Sequence, residues 1–305
     1  MRNRFYDAIF IFCCFIALSL TGAELAAQQR PAITGIAFAR VYATDTGASE
    51  AFYRTLGFEP QQSTLATGSM QRFPVNALQW IEVVPLPSPA PQSRLAAVGL
   101  MTRDAAAMEK YLRSKSIPID QPLKHGELSV LDPEGHRIVF VQAGSQQLGK
   151  PSDHATSHRM IHAGFVVQDH TAEDHFFREV LGFKPYWFGG KTETSGDYMS
   201  LQVPEGTDWL EYMMNVSPNA SPKTQGVMGH FSLGIAHMQD AVEGLAANHC
   251  VGPTCSKTQM GRDGKVQMNV YDPDLTRIEY MEFQPSGTPC CSPFTGVHPT
   301  EQESR

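Results

Sequence analysis

Residues 130–141 read VLDPEGHRIVFV, and residues 270–281 read VYDPDLTRIEYM. Each stretch places an Asp-Pro turn before a strand-forming run. They stand 140 residues apart in a chain of 305, so the sequence repeats itself over about half its length. A second pair agrees. Residues 47–58 are GASEAFYRTLGF and residues 172–183 are AEDHFFREVLGF. Both predict an amphipathic helix, with Phe52, and Phe176 or Phe177, on the buried stripe. Gly57 and Gly182 suit left-handed caps. An apolar strand precedes each helix, at 33–41 and 160–167. A further strand-plus-helix precedes each Asp-Pro turn, at 95–101 with 104–115 and at 230–236 with 239–249.

The chain therefore parses into four units, near 33–86, 93–143, 159–216 and 228–284. Each opens with a strand, passes through a helix and returns through further strands. The first two make one domain, 33–143, and the last two another, 159–284. The linker 144–158 is rich in Gly, Ser, Gln and His, and the tail 285–305 in Pro, Ser and Thr, which predicts irregular structure.

The chemistry concentrates in the second half. Unit three opens with MIHAGFVV and closes with DWLEYMM; unit four opens with GHFSLGI and closes with RIEYMEF. His162 and His230 sit in opening strands, Glu211 and Glu279 in closing strands, each Glu 49 positions after its His. Side chains alternate across a sheet. Phe231, Leu233 and Ile235 then face the helix, and His230, Ser232 and Gly234 a cavity. By the same rule Glu279 shares the cavity face with Arg277 and Met281, and Glu211 with Trp209 and Met213. Carboxylates are costly to bury unpaired. Two of them near two imidazoles are best satisfied by a divalent cation, in a mixed nitrogen/oxygen set that suits Zn²⁺, Ni²⁺, Fe²⁺, Mn²⁺ or Co²⁺ alike. Tyr198, Trp209, Met213, Asn269 and Arg277 are candidate substrate contacts.

The repeated unit, its Leu-Gly-Phe helix end, the Asp-Pro-x-x-x-Arg-Ile-Glu strand and the His/Glu placement resemble the vicinal oxygen chelate superfamily. That group includes glyoxalase I, bleomycin-resistance proteins and extradiol dioxygenases. The resemblance covers about residues 33–284. It implies an α+β fold of four βαβββ modules paired into two half-barrels, with His162, Glu211, His230 and Glu279 on the four positions that glyoxalase I-like members fill with metal ligands. It implies a lyase or isomerase acting on an α-hydroxycarbonyl compound through a metal-stabilised enediolate, with Glu211 or Glu279 shuttling the proton.

Two alternatives come with the same resemblance. One is an extradiol Fe²⁺ dioxygenase using His162, His230 and Glu279; such enzymes usually carry a Tyr where this chain has Asn269. The other is a non-catalytic binder that sequesters a small molecule. The first half departs from the ligand pattern. Ala37 aligns with His162, Glu82 with Glu211, Ala97 or its neighbour with His230, and Val139 with Glu279. One carboxylate cannot hold a metal alone, so Glu82 reads as a leftover acid paired with an Arg.

Composition bounds the partners. Lys and Arg number 24 against 31 acidic residues, for a net charge of −7, and no basic cluster suggests nucleic acid. Arg2 and Arg4, the apolar run 9–20 and the small residues after it predict a signal peptide over 1–27, giving a secreted or periplasmic protein with no membrane attachment after cleavage. The run has 12 residues, against about 20 for a spanning helix. Export would also separate the protein from cytosolic glutathione. Four cysteines follow the signal: Cys250, Cys255, Cys290 and Cys291. Neighbouring Cα atoms are about 3.8 Å apart, below the usual disulfide range, so Cys290 and Cys291 are not expected to join each other. Pairings with Cys250 and Cys255, or four free thiols, both stay open. The cup can be completed within one chain, so no dimer is required.

Overall fold

A computed structural model describes residues 29–62, 70–146 and 148–304; the expected signal peptide lies outside them. Unit one is β1 (Ile33–Ala43), α1 (Thr46–Thr55), β2 (Gln61–Gln62), β3 (Gln71–Pro74) and β4 (Trp80–Pro85). Unit two is β5 (Leu95–Thr102), α2 (Ala105–Ser114), β6 (Ile119–Lys124), β7 (Glu127–Leu131) and β8 (Arg137–Gln142). Unit three is β9 (Arg159–Val166), α3 (His170–Asp174), β10 (Lys184–Gly189), β11 (Tyr198–Gln202) and β12 (Trp209–Met213). A short helix the sequence reading did not foresee, α4 (Pro222–Met228), leads to unit four: β13 (His230–Ile235), α5 (Met238–Ala247), β14 (Thr258–Met260), β15 (Val266–Tyr271) and β16 (Arg277–Glu282). The expected α+β class with four βαβββ modules holds.

Each half is one eight-stranded curled sheet. The orders are β2-β3-β4-β1-β5-β8-β7-β6 and β10-β11-β12-β9-β13-β16-β15-β14. The opening strands of paired units lie antiparallel at the centre, and each has its own unit's last strand parallel beside it. A parallel return needs a crossover, which the helix supplies. The apolar face of each sheet packs under its helices: Phe231, Leu233, Ile278 and Tyr280 are buried with Ala241 and Leu245 of α5. Separate small clusters lie inside the two cups: Ala37, Phe38, Trp80, Ala97, Val139 and Val141 in the first, and Ile161, Tyr186, Trp187, Trp209, Met281 and Phe283 in the second.

Local details refine the expectations. Asp45 and Asp169 cap α1 and α3 by accepting two backbone N–H bonds each. Gly57 (φ +81°) and Gly182 (φ +77°) take the left-handed cap conformation. On α1 it is Tyr53 that is fully buried, while Phe52 is half-buried. After α3 the helix widens to a π turn over His175–Val180, and Phe176 and Phe177 both enter the core.

Two expectations are corrected. The opening strands carry bulges. Ile36 pairs with Leu100 and Phe38 with Gly99, leaving Ala37 extra; Met160 pairs with Leu233 and His162 with Ser232, leaving Ile161 extra. Phe38 faces Trp80 across β1 and β4 as His162 faces Trp209 across β9 and β12. The equivalent of His162 is therefore Phe38, not Ala37. The cysteines pair as Cys250–Cys255 and, against expectation, Cys290–Cys291. The Cα atoms of Cys290 and Cys291 stand 3.8 Å apart, as neighbours do, and the backbone at Cys291 takes φ +76°.

The tail is irregular but docked. Phe294 packs on Tyr186 at 4.9 Å, Gln202 Nε2 donates to Val297 O at 2.8 Å, and the Arg159 guanidinium donates to Thr300 O. The two halves meet around Gln79. Its amide nitrogen donates to Ile36 O (2.9 Å) and Met160 O (2.8 Å), and its oxygen accepts from Met160 N (2.8 Å). Among the described residues no helix is long and apolar enough to cross a membrane.

Candidate metal centre

Alternation and the bulge at Ile161 turn His162 into the second cup, where His230 meets it. Their Nε2 atoms are 3.0 Å apart. Glu279 Oε2 lies 3.2 Å from His162 Nε2 and 3.9 Å from His230 Nε2, and Glu211 Oε2 lies 3.5 Å from His230 Nε2. One ligand atom from each of His162, Glu211 and His230 lies within 4.8 Å of the others. Metal–imidazole bonds are about 2.0–2.1 Å long, so neighbouring ligands around one ion stand about 3.0–3.4 Å apart. The 3.0 and 3.2 Å spacings are of that size and the 3.5 Å spacing is close to it, so His162, Glu211 and His230 fit a divalent ion, while Glu279 approaches through His162 and stands 3.9 Å from His230.

Protonation points the same way. His230 Nδ1 donates to Met228 O at 2.8 Å, which leaves the Nε2 lone pair facing the cup. Burial, then the nearby Arg277 and His162, hold its pKa well below the usual histidine value, in the neutral form that binds metals. Burial pushes Glu279 up, but Arg277 and the hydrogen bond from His162 outweigh it, so the carboxyl stays below its usual range. His162 stacks on Trp209 at 4.7 Å, and its buried Nδ1 has no hydrogen-bond partner. Gly164 makes room for the second ring: a Cβ there would lie 2.2 Å from His230 Cε1.

A cavity of about 250 Å³ opens beside the cluster, lined in part by Trp209, Glu211, Met213, Arg277, Glu279 and Met281. Tyr198 also lines it. Asn269 pairs with Glu279 in the sheet, and Gln267, two residues before it, is among the residues lining the cavity. The sequence reading also missed Lys265. It is fully buried, with Nζ lying 4.8 Å from the centre of the Trp209 ring, 5.4 Å from Phe294 and 5.8 Å from Tyr186. Burial lowers its pKa to about 8, while Asp263 and Glu279 act to raise it. No motif marks it; only folding gathers those rings.

The first cup satisfies itself. Glu82 Oε2 accepts from Arg40 Nε at 2.5 Å, and Oε1 accepts from Arg72 Nε and Trp80 Nε1, both at 2.8 Å. Arg40 pairs with Glu82 and Ala97 in the sheet as Gly164 pairs with Glu211 and His230. The position kept bare for an imidazole in one half thus carries a guanidinium in the other.

Comparison with known proteins agrees with this architecture. Residues 159–280 match the family model for the Glyoxalase/Bleomycin resistance protein/Dioxygenase superfamily. A search of curated proteins finds no match. Among solved structures, the 2,3-dioxygenase LapB from Pseudomonas sp. KL28 superposes with a TM-score of 0.62 at 15% identity, covering 90% of this chain and 96% of that one. An extradiol ring-cleaving dioxygenase from B. fuscum gives 0.63 at 16%, covering 88% and 76%. Homoprotocatechuate 2,3-dioxygenase from Arthrobacter globiformis gives 0.60 at 16%, covering 83% and 80%. At such identities the likeness speaks for the fold. The family match thus falls on the second half of the chain, residues 159–280, and the first half repeats the same strand order.

Proposed function

We propose that the chain is a metal-dependent lyase or isomerase of the glyoxalase I-like kind, acting on a small molecule with neighbouring oxygens, such as an α-hydroxycarbonyl compound. The observation that carries the reading is Glu211, a second carboxylate 3.5 Å from His230 Nε2. His162, Glu211, His230 and Glu279 would hold the ion, which supplies Lewis acidity toward the substrate's oxygens.

The two carboxylates have different surroundings. Glu279 is buried and faces His162 and Arg277. The Glu211 side chain is 14% exposed and lines the cavity. Glu211 is the one free to take a proton from a substrate carbon and return it. Arg277, in the same wall, opposes negative charge on the substrate. Trp209 and Met213 pack its apolar part and exclude water.

Extradiol ring cleavage is the second reading, favoured by the two-sheet architecture shared with the dioxygenases. Iron oxygenases of that type use two His and one carboxylate and keep positions open; a second carboxylate would take one of those positions.

The test is metal analysis with activity. Zinc or nickel, without catechol-dependent oxygen uptake, supports the first reading; stoichiometric iron with such uptake replaces it with the second. His230→Ala should lose one equivalent of metal and His175→Ala none; equal loss in both would remove the assigned site. We also propose export, consistent with the Cys250–Cys255 bridge. The mature protein should then start near residue 28 on N-terminal sequencing, and an intact Met1 would refute it.

A further inference from the structure

We propose a second divalent-metal site, at the seam between the halves, built from Asp132, His136 and Glu173. Asp132 and His136 stand in the turn from β7 to β8, and Glu173 in α3 of the other half. One ligand atom of each lies within 4.8 Å of the other two. Asp132 is 5% exposed and Glu173 fully buried.

The hydrogen bonds leave a specific gap. Asp132 Oδ1 accepts from the backbone N–H groups of Glu134 (3.1 Å) and His136 (2.8 Å), and Oδ2 accepts from His136 Nδ1 (2.8 Å). Glu173 Oε1 accepts from Glu134 N at 3.1 Å. Glu173 Oε2 has no partner, and neither has the buried Tyr212 hydroxyl. A buried carboxylate oxygen without a donor is unfavourable unless the group is protonated or meets a cation.

The matching contact on the other side shows that the fold does not need these residues. The second Asp-Pro turn repeats the Asp as Asp272, but has Thr276 for His136, and, counting from the capping Asp45 and Asp169, α1 has the buried Ser49 for Glu173. The Asp is a turn device in both halves. The added imidazole and carboxylate occur together, and only where they converge. Two carboxylates and one imidazole suit Zn²⁺ or Mn²⁺. The His136 side chain is 24% exposed, which gives an ion a way in. Bound there, it would tie the first half's turn to the second half's helix.

The experiment uses the full chain, stripped with chelator and titrated with Zn²⁺. The wild type should bind about two ions, and His162→Ala/His230→Ala about one. Adding Glu173→Gln to that variant should weaken the remaining site at least about tenfold and abolish the zinc-dependent rise in unfolding midpoint. Gln is the neutral isostere and keeps the acceptor for Glu134, so folding should survive; His136→Gln gives an independent check. The proposal is overturned if the double variant binds no zinc, or if Glu173→Gln binds as tightly as its parent. Failure of the cup assignment would appear separately, as a zinc count unchanged by His162→Ala/His230→Ala.

Discussion

Gly164 shows how one residue sets the chemistry of a half. Its missing side chain is the space taken by the His230 ring. Gly164→Ala should displace that ring and weaken metal binding by about 10–100-fold, the range typical of misoriented ligands, as measured by competition with a chromophoric chelator. Asp272 offers a pH test. Burial raises its pKa from 3.8 to about 7. The folded state therefore holds the proton more tightly, and this group's contribution is full below pH 3.8 and lost as pH rises through 7. Relative to Asp272→Asn, the wild type should lose up to about 4 kcal/mol between pH 4 and 7, read from urea unfolding at each pH; a constant difference would refute the assignment. The four His and Glu positions were legible because equal spacing within repeated units is visible in one dimension. Lys265 was not, since a Lys between Gly264 and Val266 reads as solvated until Trp209, Tyr186 and Phe294 fold around it.

At the scale of elements, the strands and helices were legible from alternation and from Leu-Gly-Phe ends, but the bulges were not. Strict alternation would place His162 on the same face as Met160, which is in the core. The extra residue Ile161 turns it into the cup. The same effect in β1 misled the alignment of Ala37. The tail shows another limit of composition: Pro and Ser predict irregularity but say nothing of docking. Removing residues 285–305 would expose the faces of Tyr186 and Trp187 that Phe294 covers. The loss should be about 2–3 kcal/mol from burial of one Phe, measured as a lower urea midpoint. An unchanged midpoint would show that the strap carries no stability.

For the whole molecule, the order of four units was readable, while the seam was not, because it rests on polar contacts between distant residues. Gln79 bonds to both halves at once. Gln79→Ala would leave Met160 N–H and two carbonyls unpaired, at a cost of about 3 kcal/mol. Calorimetry should then show two separated transitions; a single one would mean the halves remain coupled through other contacts.

Arg40 bears on this asymmetry. In one cup the positive charge opposite Glu82 is tethered to the backbone and inherited with the chain; in the other, under the proposed assignment, Glu211 would acquire it from the surroundings. Stripping ions should quicken amide exchange along β9, β12, β13 and β16 while β1, β4, β5 and β8 keep their pace, leaving half of the protein indifferent to the supply that governs its twin.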